Sequence, residues 1–141
     1  MLSKRTQYAT RAILYLAIHS KGNRKIGVNV IAEDLQVPKQ FLSKILQELV
    51  KFKLVKSSKG KMGGFYLSRA NLKNSLRQII EVFDGDDLFC KCMMGLPNCS
   101  SDNPCPLHDS ATSFRQNLEA SLEDLSIKEM AEKIKTVGLR I

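Results

Sequence analysis

Four cysteines and a histidine crowd one short stretch of this 141-residue chain: Cys90, Cys92, Cys99, Cys105 and His108. The run Cys92-x6-Cys99-x5-Cys105-x2-His108 sets three thiols and an imidazole on a single segment. Soft sulfur and nitrogen donors can therefore converge without closing a long, entropically costly loop. Pro97, Pro104 and Pro106 stiffen the segment and lower that cost further. Iron–sulfur clusters and zinc both use such donors. Zinc sites usually place two cysteines in a C-x2–4-C knuckle with the other ligands elsewhere in the chain. Neither the wide steps here nor the Cys90-x-Cys92 pair has that form, and on spacing alone both centres stay open.

Other chemistries find no support. His19 and His108 are the only histidines, no Ser/His/Asp set converges, and Gly60–Gly64 lacks the helix start that a phosphate-binding glycine loop requires. The chain is not expected to be an enzyme. No apolar run approaches the roughly 20 residues of a membrane span. The basic start Lys4-Arg5 followed by an apolar stretch lacks a small-x-small cleavage site, so a cytoplasmic protein is expected. In that compartment cysteines serve as ligands or redox thiols more often than as structural disulfides.

Charge divides the chain. Residues 1–77 carry a net charge of +13 and residues 78–141 a net of −5, within an overall +8. A basic first half suggests a module that faces a polyanion, and an acidic second half suggests another task.

The elements that must position these groups can be read from periodicity. Ala9, Ala12, Ile13, Leu16 and Ala17 make the stripe of an amphipathic helix over residues 3–19, with Ser3 as N-cap. Lys4 and Arg5 in its first turn oppose the helix dipole unless phosphate is near. A short helix over 29–35, a turn at Gln36-Val37 and a helix over 38–51 beginning with Pro38 follow. In the last of these Leu42, Ile45, Leu46 and Leu49 form one face; Gln40, Ser43, Lys44, Gln47 and Lys51 form the other, free of acids. Two short helices joined by a tight turn match helix-turn-helix geometry, and Pro38 and Lys39 open the helix that would read bases. Leu54–Ser58 and Phe65–Ser68 read as strands around a Gly-rich tip that carries Lys59 and Lys61, a basic wing. A helix over 75–83 with Asn74 as N-cap precedes a loop over 90–108. A long helix over 109–124 then carries Phe114, Leu118, Leu122 and Leu125, and a capping box at Ser126 and Glu129 opens a last helix. So short a chain leaves little core to cover that stripe, which favours a partner helix and a dimer. The expected architecture is mostly α with a small β wing. A winged helix-turn-helix domain spans 1–84, a Cys-rich loop 85–108, and a dimerisation helix with its C-terminal helix 109–141.

Over nearly its whole length the chain resembles the winged-helix regulators of the Rrf2 family, which has IscR, NsrR and CymR types. The matching residues are Tyr8-Ala9, Arg11-Ala12, Leu14-Tyr15-Leu16-Ala17, Ile31-Ala32-Glu33, Phe41-Leu42, Ile45-Leu46, Leu49, Gly60, Gly63-Gly64-Phe65, Leu67 and the three-cysteine loop with its histidine. The resemblance implies a homodimeric transcription regulator, such as a repressor, that places recognition helices in successive major grooves of a palindromic operator. It also implies an iron–sulfur cluster on Cys92, Cys99 and Cys105, with His108 as the fourth ligand of the IscR type and Cys90 as a substitute for Cys92. Gln7 stands where NsrR-type members carry an aspartate, which favours histidine and a 2Fe–2S over a 4Fe–4S cluster. The resulting expectation is a regulator sensing iron–sulfur, redox or nitric-oxide status. Its alternatives are a winged-helix regulator with a structural zinc or with a metal-free thiol switch. Lys4, Arg5, Pro38, Lys39, Gln40, Ser43, Lys44, Gln47, Lys59 and Lys61 are the expected DNA contacts.

Overall fold

Ser3 starts the first helix, α1 (Lys4–His19), its hydroxyl accepting the Thr6 N–H at 3.2 Å. The computed structural model describes residues 1–141. The expected stripe of α1 points inward, with Ala9, Ala12, Ile13 and Leu16 all buried. A short turn leads to α2 (Val28–Leu35), which ends where Gln36 adopts a left-handed conformation (φ 53°). Buried Val37 fills the corner before α3 (Lys39–Lys51). Leu42, Ile45, Leu46 and Leu49 of α3 are shielded almost completely, each contributing roughly 1.5–3 kcal/mol of burial. Two polar ties lash α1 to α2. Arg11 donates to the Leu35 carbonyl at 2.6 Å, and the Tyr15 hydroxyl donates to the Asp34 carboxylate. Burial, together with that bond to an anion, pushes the Tyr15 phenol up to about 12.

Pro38 departs from its expected place. It is the residue before α3 rather than the first of it, because the extended backbone that leaves the turn (ψ 125°) is not helical. Its carbonyl instead accepts the N–H groups of Phe41 and Leu42 at 3.1 and 3.0 Å, so it still serves the helix start.

The wing pairs β1 (Lys56–Ser58) with β2 (Gly64–Tyr66) antiparallel, Lys56 opposite Tyr66 and Ser58 opposite Gly64. Both strands are shorter than expected, since Leu54 and Val55 turn into the core instead of pairing. Ile26 bridges Phe65 through two backbone bonds of 2.9 and 2.8 Å, which seats the wing on the helices. Glycine is required here. A Cβ on Gly64 would lie 2.6 Å from the Ile26 carbonyl oxygen, and one on Gly63 would lie 2.2 Å from that of Ser58.

The next helix, α4 (Leu76–Asp84), is capped by Ser75 with Gln78 rather than by Asn74. The Asn74 carbonyl is engaged elsewhere, accepting the Ile127 N–H at 2.8 Å. A four-residue helix not foreseen from the sequence, α5 (Asp87–Cys90), precedes the Cys-rich loop. The loop leads into the long α6 (His108–Asp124), and the Ser126–Glu129 capping box opens α7 (Ile127–Val137) as expected. That last helix returns to pack on α1, bringing Ile127 into the same core as Leu16. In contrast, α6 buries only Ala111. No helix is long and apolar enough to cross a membrane.

Candidate metal centre and nucleic-acid interface

The loop after α5 is pinned at both ends. Arg115 of α6 donates to the Lys91 carbonyl at 2.7 Å, and the His108 N–H donates to the Cys105 carbonyl at 2.9 Å. Between these anchors the chain folds on itself. The Gly95 N–H donates to the Cys92 carbonyl, and Ser100 and Asn103 exchange a pair of backbone bonds. The result gathers three half-buried sulfurs, those of Cys92, Cys99 and Cys105, within 4.8 Å of one another. Cys92 Sγ and Cys105 Sγ lie 3.8 Å apart, and His108 Nδ1 lies 3.3 Å from Cys99 Sγ. Cys90 ends α5 with its side chain exposed and does not join the group.

Proton affinity in the trio is uneven. The Leu96 amide, helped by that of Met94 and by the two neighbouring thiols, holds Cys92 down at about 7 against the opposing effect of desolvation. Cys99 goes the other way. The Cys105 amide lowers it, but desolvation and competition from the Cys105 and Cys92 sulfurs raise it on balance. Three sulfurs so close cannot all ionise cheaply unless a cation stands among them. That is the donor chemistry of a metal or cluster site.

The second candidate surface lies on the basic head. Lys39, Gln40, Lys44 and Gln47 are exposed on α3, Pro38 is exposed just before it, and Ser43 is half-buried. Lys59 and Lys61 stand free at the wing tip, and Lys4 is exposed at the start of α1. Arg5 is not free: it pairs with Glu48 of α3 at 2.5 Å and lies 5.2 Å from the Phe83 ring centroid. Its first role is to fasten the start of α1 to α3.

The roles of two residues were not read from the sequence. Phe41, an apolar residue off the buried stripe of α3, stands against Tyr8 of α1. Arg77 of α4 is 13% exposed and meets Glu119 of α6 at 3.0 Å, Asp86 at 2.5 Å and the Phe89 ring at 4.3 Å. It thereby joins the winged head to α5 and α6. The only sequence signal for Arg77 is an arginine on a strongly amphipathic helix ahead of an acidic region, and this does not reveal which acids it meets.

The family model Rrf2, described as an iron-dependent transcriptional regulator, matches residues 2–133. A putative HTH-type transcriptional regulator of Aquifex aeolicus is 31% identical over 132 residues, covering 92% of this chain and 90% of the relative. The HTH-type transcriptional regulator NsrR of Oceanobacillus iheyensis is 28% identical over 144 residues, covering 98% and 97%. Among solved structures, CymR, the global cysteine regulator of B. subtilis, superposes with a TM-score of 0.79 at 19% identity, covering 94% of this chain and 97% of that one. The last likeness concerns the fold, a winged helix-turn-helix.

Proposed function

The chain belongs to the Rrf2 family of iron-dependent transcriptional regulators, and from that premise we propose a cytoplasmic homodimer that binds a palindromic operator and reports iron–sulfur, redox or nitric-oxide status through its cysteine loop. It is a DNA-binding transcription regulator and not an enzyme. The observation that carries the sensing reading is the convergence of the Cys92, Cys99 and Cys105 sulfurs within 4.8 Å at the base of α6.

The donors fit an iron–sulfur group. Three sulfurs converge and an imidazole stands beside Cys99. Cys92, Cys99 and Cys105 would hold it with His108 as fourth ligand, an arrangement suited to a 2Fe–2S cluster. When bound, such a group supplies a centre that gains or loses electrons and reacts with oxygen or nitric oxide. The protein's part is mechanical. His108 is the first residue of α6 and Cys105 bonds to its N–H, so the donors and the helix share one backbone segment. Arg115 ties the far side of the loop to the same helix, and Arg77 ties that helix to α4. A change in how the donors are held therefore alters the seat of α6 on the head, and with it the spacing of two reading heads. Allosteric couplings of this kind typically span about 1–3 kcal/mol. On the head, Gln40, Ser43, Lys44 and Gln47 are the base-contact candidates, while Lys59 and Lys61 meet phosphate.

A second reading rests on the same donors. Three sulfurs with one imidazole also suit a structural zinc, and the 3.8 Å between Cys92 Sγ and Cys105 Sγ is within easy reach of a disulfide in a metal-free thiol switch. Oxygen-free purification with an absorbance spectrum and analysis for iron, sulfide and zinc separates the three. Iron and sulfide with a brown colour, and different operator affinities for filled and emptied protein, support the cluster reading. Colourless, zinc-bearing material of unchanged affinity supports structural zinc. A response to oxidant in metal-free protein supports the thiol switch.

A further inference from the structure

We propose that Phe41, backed by Tyr8, forms an apolar subsite for the 5-methyl group of thymine in the major groove, fixing one base in each operator half. The inference rests on the DNA-binding reading and goes beyond it, to one chemical feature of the duplex.

The faces of α3 are otherwise cleanly sorted. Leu42, Ile45, Leu46 and Leu49 are buried, and Gln40, Ser43, Lys44 and Gln47 are polar. Phe41 belongs to neither set, being apolar yet 38% exposed on the first turn of the helix. Residues near the start of the second helix of such motifs contact base edges most directly. The Phe41 ring is held rather than loose: it stands edge-on to Tyr8, with centroids 5.7 Å apart and planes at 84°. Tyr8 is itself flanked by the Arg11 guanidinium at 6.0 Å, and Arg11 is anchored on the Leu35 carbonyl. A hollow of about 450 Å³ opens beside the pair, walled by Tyr8, Pro38, Gln40, Phe41 and Lys44.

The surroundings select the occupant. Lys44 walls the hollow, Lys39 is exposed at the start of the same helix, and the one acid on α3, Glu48, is engaged by Arg5. An exposed apolar patch framed by free cations suits an anionic duplex better than an apolar protein face. In the major groove thymine alone among the four bases offers a methyl group, and an aromatic side chain is one of its recognised partners. Gln40 on the same wall can hydrogen-bond an adjacent base edge while Lys44 reaches a base or phosphate.

The test uses the full chain and duplexes enriched from a random pool on the protein itself. Each thymine of the enriched duplex is replaced singly by uracil, which removes the methyl and leaves the pairing edge intact. One thymine per half-site should weaken binding about fourfold on this replacement, the effect of one methyl returned to water. In Phe41→Ala the thymine-to-uracil ratio should fall to one. Phe41→Leu, which keeps an apolar group and guards against loss of folding, should retain the preference in part. The proposal is overturned if no thymine is uracil-sensitive in a duplex that otherwise binds tightly, and the DNA-binding reading then still stands. It is equally overturned if the sensitivity survives in Phe41→Ala. Failure of the pool to enrich at all would overturn both readings together.

Discussion

Two helices of nearly equal length have opposite environments. The 16 residues of α1 include seven that are buried, whereas the 17 residues of α6 include one, Ala111. Helix α1 touches α2, α3, α4 and α7 and forms the axis of the head. Helix α6 packs mainly on α4 and α5, with Phe114 58% exposed and Leu118 and Leu122 half-buried. A helix this long with so little of its apolar stripe covered is weakly supported by its own chain. The head thus carries a core of its own, whereas most of the apolar stripe of α6 lies outside that core. The proposed sensing role would use that division, with the head as a rigid reader and α6 as a seat that can shift or meet a second copy.

The largest contrast should appear on truncating each stripe. Leu16→Ala in α1 should cost about 2–5 kcal/mol of folding free energy, read by urea unfolding. Leu122→Ala in α6 should cost the head under about 1 kcal/mol, half-buried as it is, yet weaken self-association in sedimentation experiments. Equal losses for both variants with no change in association would remove the division.

Next in size is the coupling itself. Cys99→Ser should lower iron retention, and its operator affinity should match that of emptied wild type. It should differ from the filled form by about 5–150-fold. Titration of one labelled operator with all three samples measures this, and identical affinities for filled and emptied protein would uncouple loop from head.

Arg77 is the joint between the two regions, and removing it should show a smaller effect. Its guanidinium is largely shielded, but Glu119 and Asp86 remain 34% and 59% exposed, so water screens part of each pair. Arg77→Ala should therefore cost about 1–2 kcal/mol, below the range for a fully buried pair. Faster hydrogen exchange should be confined to α5 and the start of α6. Arg77→Lys should recover little, since an ammonium cannot span two carboxylates and the Phe89 face together. Unchanged exchange in α5 would make Arg77 a surface ornament of α4 alone.

The head was legible in the sequence and the joint was not, for a physical reason. The stripes of α1 and α3, the Ser3 cap and the Ser126–Glu129 box are local patterns whose partners lie within a few residues. The wing glycines were visible too, although Gly64 is required by a segment nearly forty residues away, the Ile26 backbone that presses on it. Spacing and resemblance named Cys92, Cys99 and Cys105 with Cys90 as a substitute, but the loop bonds that gather the three and leave Cys90 out were not readable from them. Asn74 illustrates the limit: it looks like a cap, but its carbonyl is taken by Ile127 from across the fold, and Ser75 caps instead. Arg77 was overlooked, Arg5 was read as a DNA contact rather than as a tie to α3, and Phe41 was noted only as a residue of the family likeness, because each acts across elements, where periodicity carries no signal.

The smallest effect separates the two regions by their cations. Lys61 stands free at the wing tip, whereas Lys91 beside the cysteine loop is paired with Asp87 at 2.6 Å. A free lysine on a phosphate releases one counterion from DNA when it binds. Lys61→Ala should therefore weaken binding to all duplexes alike and flatten the slope of log affinity against log salt by about one. Lys91→Ala should leave that slope unchanged, since its charge is already engaged on the protein and lies in the acidic half of the chain. Anisotropy titrations at four salt concentrations, on one enriched and one scrambled duplex, distinguish the outcomes. If Lys61→Ala altered the preference between those duplexes rather than the slope, the wing would read bases and the phosphate role would pass to the remaining lysines of the head.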